Sequence, residues 1–183
     1  MKRGVLLMAI MNNSPNSKPD IKIEKDNTTG IYNKNYIEAL LNNRFPHMWL
    51  CTLMLIDIDD FKFINENHGK SEGDKVLREV SLILTDMVGE LGTVARYEED
   101  MFIIKLPLIS KRAGFLFAEK LLNMIERAPI YLKGEKQYIT VSIGICTFLK
   151  DENRFLTLNQ WIKATENALL KAKAHGKNMI VQL

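Results

Sequence analysis

The chain has 183 residues, 46% of them hydrophobic, and its 25 Lys and Arg against 22 Asp and Glu leave a formal net charge of +3. That is one domain of ordinary size, long enough to bury roughly two thirds of its unfolded surface in a single core. Lys and Arg are spread along the chain and no run of them alternates with aromatics, which argues against a nucleic-acid binder.

Residues 1–25 read as an N-terminal apolar segment and a polar linker, and 26–183 as the folded domain. Lys2 and Arg3 precede the apolar run Gly4 to Met11, which has the look of a signal-peptide core. The run is too short to span a membrane, and no small-x-small cleavage pattern follows. A packed strand or helix is expected there, with a membrane-docking or partner-docking segment as the alternative. Asn12 to Asp26, with Pro15 and Pro19, reads as linker. Cys51 and Cys146 each sit in an apolar run, as small buried thiols do, and this usage suits a reducing cytoplasm.

Asn33 to Phe45 suits a helix with Tyr36, Ile37, Leu40 and Leu41 on one face. Leu50 to Ile58 is a nearly continuous apolar run ending in carboxylates, the pattern of a central strand buried on both faces. A turn follows, then a helix over Ser71 to Val88 with Ser71 and Asp74 as its N-terminal cap. Thr93 to Tyr97 and Met101 to Leu106 read as a β-hairpin around acidic residues. A helix from Lys111 to Arg127 is expected to turn Ala113, Phe117, Leu121 and Met124 inward. Tyr138 to Phe148 is strand-like, with Gly144 as a bulge or a point of close approach. The last helix carries Leu158, Trp161, Ile162, Thr165, Ala168, Leu169 and Ala172 on one stripe, stops at Gly176 and leads into a strand over Asn178 to Leu183. This order predicts an α/β fold of the α+β kind: a central mixed five-stranded sheet flanked by helices, with a hairpin in its middle.

Asp57 and Asp59 lie two apart on a strand and so point to one face, with Asp60 in the turn beyond. Carboxylates at the end of a buried strand are costly unless neutralised, and Mg²⁺ is the usual agent where a polyphosphate is present; an acidic loop solvated at the sheet edge is the alternative. Phe61, Lys62 and the stretch Asn65 to Asp74 carry groups able to hold a base edge, and Gly69 and Gly73 permit close backbone approach. A carboxylate such as Asp74 can accept from the N1–H and N2–H of guanine, which adenine does not offer.

In these residues the chain resembles the GGDEF domain, the nucleotidyl-cyclase-like fold of diguanylate cyclases, which join two GTP molecules into cyclic di-GMP. Thr29-Gly30-Ile31-Tyr32-Asn33-Lys34 is similar to the family's T-G-L-x-N-R, with Lys34 for Arg. Asp57-Ile58-Asp59-x-Phe61-Lys62-x-Ile64-Asn65 and Gly69-x-x-x-Gly73-Asp74 match its nucleotide-binding segment. Val141-Ser142-Ile143-Gly144-Ile145 and Ala172-Lys173-x-x-Gly176-Lys177-Asn178 match its C-terminal markers. The resemblance implies that Asp57, the Ile58 carbonyl and Asp100 bind Mg²⁺ or Mn²⁺. It further implies that Asn65 and Asp74, beside Phe61 and Lys62, read guanine, and that Lys173 and Lys177 reach the triphosphate. Lys177 stands where Arg is commoner.

The family signature Gly-Gly-Asp/Glu-Glu-Phe is altered here to Glu98-Glu99-Asp100-Met101-Phe102. In a two-residue hairpin turn, non-glycine residues at positive φ would cost on the order of 1 kcal/mol or more. A carboxylate about 5 Å from a phosphate charge would cost roughly 3 kcal/mol at an effective dielectric near 20. Asp100 keeps the metal-binding position and is the one candidate catalytic residue left there. Met101 replaces a glutamate implicated in the family's chemistry, and a thioether neither binds Mg²⁺ usefully nor accepts a proton. The family's inhibitory product site, an Arg-x-x-Asp ahead of the signature, would fall at Gly89 to Gly92, and neither residue is there. Its usual upstream sensor domain is replaced by residues 1–25, so no built-in device for pairing two half-sites is expected.

The reading that follows is a degenerate, cytoplasmic GGDEF domain in bacterial cyclic di-GMP signalling. It binds GTP or another guanine nucleotide, regulates through a protein partner or a homodimer, contacts no nucleic acid or membrane, and makes little or no cyclic di-GMP. The alternatives are an active diguanylate cyclase of unusual signature and a nucleotide-free scaffold.

Overall fold

The computed structural model describes residues 22–152 and 156–183; the N-terminal apolar run lies outside them. The elements are α1 (Lys34–Arg44), β1 (Leu50–Ile58), α2 (Phe61–His68), α3 (Lys70–Val88), β2 (Thr93–Arg96), β3 (Met101–Pro107), α4 (Lys111–Arg127), β4 (Ile130–Leu132), β5 (Glu135–Gln137), β6 (Val141–Leu149), α5 (Leu158–Ala174) and β7 (Ile180–Gln182). The main sheet is five-stranded in the order β2-β3-β1-β6-β7, and β4 and β5 form a separate hairpin. All pairs in the main sheet are antiparallel except β6 with β7, so it is mixed, as the sequence predicts.

β1 is the central strand, and alternation along it explains its unbroken apolar run. Cys51, Leu53 and Leu55 face a cluster with Ile37, Leu41, Trp161 and Leu169 of α1 and α5. Met54, Ile56 and Ile58 face a second cluster with Val76, Val80, Leu121 and Ile125 of α3 and α4. Helices thus cover both faces of the sheet, and both cysteines are buried and free. Gly144 is a point of close approach: a Cβ there would lie 2.3 Å from the Leu169 backbone nitrogen, so α5 can seat directly on β6.

Three local expectations are corrected. The turn after β1 is the helix α2, and Ser71 does not cap α3, whose N-cap is Gly69 without a side-chain bond. The buried stripe of α4 is Gly114, Ala118, Leu121 and Ile125, while Met124 is 44% exposed. A Cβ on Gly114 would lie 2.8 Å from Thr52 Cγ2, so small residues let this helix lie close on the sheet. No helix among the described residues is long and apolar enough to cross a membrane.

Candidate nucleotide and metal site

The C-terminal end of β1 brings most of the predicted residues together. Asp57 is 3% exposed and lies on the α1/α5 face, where Lys173, in the last turn of α5, places its Nζ 2.6 Å from Asp57 Oδ2. Burial raises the Asp57 pKa to about 6; the Lys173 hydrogen bond lowers it, and the nearby charges of Asp100 and Asp59 raise it further. The Ile58 N–H donates to the Asp100 carbonyl at 3.2 Å, which seats the hairpin loop beside Asp57.

Asp59 has a different task. Its carboxylate accepts from Thr140 Oγ1 and Ser142 Oγ at 2.7 Å each and from the Asn178 backbone N–H at 3.0 Å, so it ties β6 and the segment after α5 to β1. Asp60, which sequence reasoning left unassigned, meets Lys177: Nζ lies 2.6 Å from Oδ1. Asp60, Lys177 and Asn178 all have positive φ, at 56°, 63° and 44°. Non-glycine residues in this region are strained, and three of them meeting where two chain segments cross mark a place held by its surroundings, as functional sites often are.

On the other side of the strand end, Asn65 in α2 and Asp74 in α3 flank Gly69 and Gly73. A Cβ on Gly73 would lie 1.9 Å from Asn65 Oδ1, so only glycine leaves the amide in place. Among the described residues that buried oxygen has no hydrogen-bond partner, and its desolvation cost calls for a donor. Phe61 is 8% exposed and packs beneath. Lys62 points away: its side chain is 89% exposed and pairs with Glu66 at 3.7 Å.

The altered hairpin loop is not the strained turn its sequence suggested. Tyr97 to Asp100 form the connection, closed by Tyr97 N–H and Glu98 N–H donating to the Met101 carbonyl at 2.7 and 3.2 Å. Neither Glu98 nor Glu99 has positive φ. The longer loop removes the stereochemical need for glycine, and basic residues hold it in place: Lys34 Nζ lies 3.4 Å from Glu98 Oε1, and Arg96 Nη2 donates to the Glu99 backbone carbonyl at 2.5 Å. Arg96 Nη1 also reaches both Asp26 oxygens at 3.1 and 3.2 Å, so the Thr29-Gly30 motif is joined to the loop through a half-buried ion pair. Glu98→Gly and Glu99→Gly are each expected to leave stability unchanged or lower it by up to about 1 kcal/mol. Denaturant melts check this, and a clear gain would mean that the loop is strained after all.

Met101 pairs directly with Asp57 in the β1–β3 register, so the two side chains share a face. It lines a cleft of about 280 Å³ with Tyr97, Glu98, Glu166, Leu169, Leu170 and Lys173. Burial pushes Tyr97 up to about 12, with further contributions from Glu38, Glu166 and Glu98. Among the described residues no three His, Cys, Asp or Glu side chains group as a metal cluster. Two carboxylates and a carbonyl nevertheless suit Mg²⁺, which takes few protein oxygens and completes its shell with phosphate and water.

Comparisons with known proteins bear on the family and the fold. A family model described as "Diguanylate cyclase, GGDEF domain" matches residues 23–179. The Escherichia coli K12 protein named "Probable diguanylate cyclase DgcF" is 32% identical over 163 residues, covering 86% of this chain and 51% of its own. Diguanylate cyclase A of Treponema denticola is 32% identical over 129 residues, covering 70% of this chain and 34% of its own. The chain thus spans between about a third and a half of the length of these relatives. The GGDEF domain of DgcB from Caulobacter crescentus, solved in complex with c-di-GMP, superimposes with a TM-score of 0.80 at 21% identity, covering 86% of this chain and 92% of that one. At that identity the likeness speaks for the fold. With the family model matching from the Asp26 loop through the segment after α5, the chain belongs to the diguanylate cyclase GGDEF-domain family.

Proposed function

We propose that residues 26–183 form a regulatory GGDEF domain of cyclic di-GMP signalling. It works in the cytoplasm, binds GTP with a divalent cation and has little or no cyclase activity. In this reading Asn65 and Asp74, with Phe61 beneath and without the outward-pointing Lys62, take the guanine, and Lys173 and Lys177 take the phosphates. Asp57, the Ile58 carbonyl and Asp100 hold Mg²⁺ or Mn²⁺. A bound divalent cation would supply positive charge at the α-phosphate under attack by a 3′-hydroxyl. Asp57 is held nearly dry for that charge, and Asp100 stands in the loop across from it.

The observation that carries the loss of activity is the ladder partner of Asp57. Met101 stands on the face of the metal-binding carboxylate where the family has glutamate, and it offers neither a charge nor a proton acceptor. The output would then be binding, read by a protein partner or a second copy of the chain. An active cyclase is the second reading, favoured by the unpartnered Asn65 oxygen and the glycine that makes room for it.

The test is to incubate the pure protein with GTP and Mg²⁺ or Mn²⁺, following binding by calorimetry and product by chromatography. Binding without cyclic di-GMP above a no-enzyme control is expected. Product above that control would establish the second reading, and no binding at about 1 mM GTP would leave a nucleotide-free scaffold.

A further inference from the structure

We infer that Lys173 is an internal stand-in for the metal: it occupies Asp57 in the nucleotide-free chain and is exchanged for a divalent cation only when phosphate arrives to take the lysine. The inference rests on the metal and nucleotide reading above and adds a coupling that the reading does not contain.

The observations are geometric. Asp57 is 3% exposed, so its charge needs a partner inside the protein. Lys173 Nζ supplies one, 2.6 Å from Oδ2. The lysine side chain is 36% exposed and leaves from the end of a helix, whereas the carboxylate side chain is 4% exposed and fixed on the central strand. The lysine is therefore the partner free to move. It also lines the cleft beside Met101 and Glu98, and swinging there exposes the Asp57 oxygen. A cation arriving alone meets an ammonium already on its ligand, and the two positive charges repel at short range. A phosphate arriving alone could draw Lys173 off, but it would leave Asp57 buried without a counter-charge. Cation and nucleotide therefore have to arrive together, each raising the affinity for the other by the same factor.

Lys177 provides the contrast. It makes an ion pair of the same length with Asp60, but Asp60 has a side-chain exposure of 65% and is solvated with or without the lysine. Both lysines carry one charge and neither is buried, so a general field effect would act through both. A lock on the metal position acts through Lys173 alone.

The test uses Mn²⁺ as probe, with free Mn²⁺ followed by electron paramagnetic resonance, with and without GTP. Lys173→Met is expected to bind Mn²⁺ alone about ten-fold more tightly than the parent chain, and to lose about ten-fold of the mutual enhancement between Mn²⁺ and GTP. Lys173→Gln serves as a second variant should the methionine disturb folding. Lys177→Met is expected to leave the affinity for Mn²⁺ alone within about two-fold of the parent. Adding Asp57→Asn to Lys173→Met should abolish the gain. The inference is overturned if Lys173→Met and Lys173→Gln bind Mn²⁺ alone no better than the parent, or if Lys177→Met gives the same gain. Absence of GTP binding in every form would sink the nucleotide reading, and the arm with Mn²⁺ alone would still decide whether Lys173 holds the metal's place.

Discussion

Met101→Glu is expected to raise the synthesis of cyclic di-GMP from GTP about a hundred-fold over the parent chain, on the proposed reading of the site. The expectation follows from register. Met101 is the ladder partner of Asp57, and directly opposed residues share a face with their Cβ atoms in contact range. A glutamate there would put a proton acceptor and an oxygen ligand beside Asp57, on a strand rather than in a loop. It would also add a like charge beside Asp57 and Asp100, so the gain should need saturating Mg²⁺ or Mn²⁺, and the protein without metal should be less stable than the parent. Adding Glu98→Gly and Glu99→Gly would remove two negative charges from the approach to the phosphates. Because those residues are unstrained and their loop is held by Lys34 and Arg96, the addition should act on nucleotide affinity more than on turnover. Product measured by chromatography over several hours, at fixed GTP and metal, decides it. Were the single variant no more active than the parent while still binding GTP, the missing carboxylate would not be what limits the chemistry.

Where the fold was legible in the sequence, pattern and environment agreed. The apolar run of β1 reads as a strand covered on both faces because residues of each parity meet their own cluster. The stripe of α5 reads correctly because its inward positions include large residues, Leu158, Trp161 and Leu169. In one helix size was taken for burial. In α4 the positions on the sheet are Gly114 and Ala118, and the larger Leu116 and Met124 lie outside. Helix α2 has only Phe61 and Ile64 buried in eight residues, too short a stretch for periodicity to separate from a turn. The β4–β5 hairpin turns at Lys133 and Gly134, both at positive φ, a conformation that a Lys-Gly pair signals only weakly.

The candidate site was legible residue by residue but not in its pairings. Lys173 and Lys177 meet Asp57 and Asp60 at one end of β1, and Asn65 lies in the helix that follows it, because each motif sits at or near the end of an element that the sheet brings there. Nothing in the spacing distinguishes Asp59, which is spent on Thr140, Ser142 and Asn178, from Asp57, which faces Lys173. Such long-range partners depend on where β6 and the segment after α5 pass, and a linear pattern does not carry that. The glycine penalty assigned to Glu98 and Glu99 failed for a similar reason. It presumed a two-residue turn, and the connection runs from Tyr97 to Asp100.

Asp57→Asn is expected to make the metal-free protein more stable near neutral pH while removing divalent-cation binding. Burial, and then the charges of Asp100 and Asp59, raise the Asp57 pKa from 3.8 to about 6 in spite of Lys173. Between about pH 4 and pH 6 the folded chain therefore holds a proton at this position that the unfolded chain has released, and stability contributed here falls as pH rises through that window. Above it the loss is complete and amounts to about 2–3 kcal/mol. Asparagine, near the shape of the protonated acid, does not carry this loss, and Lys173 is exposed enough to be solvated without its partner. Other carboxylates slope the opposite way: burial opposes the charge of Asp26, yet hydrogen bonds from Thr29 and Arg96 lower its pKa, so its contribution is lost as pH falls. The informative quantity is thus the difference between variant and parent. Urea unfolding from about pH 3 to pH 8 should give curves that coincide at the acid end, separate between about pH 4 and pH 6 and run parallel above that, with the variant on top. Saturating Mg²⁺ and GTP should close the gap from the parent's side, since ligand bound only to the folded parent stabilises it. A variant less stable than the parent at neutral pH without metal would mean that the Lys173 pair outweighs the burial of the charge. Asp57 would then be held for structure rather than kept, at a cost, for a cation.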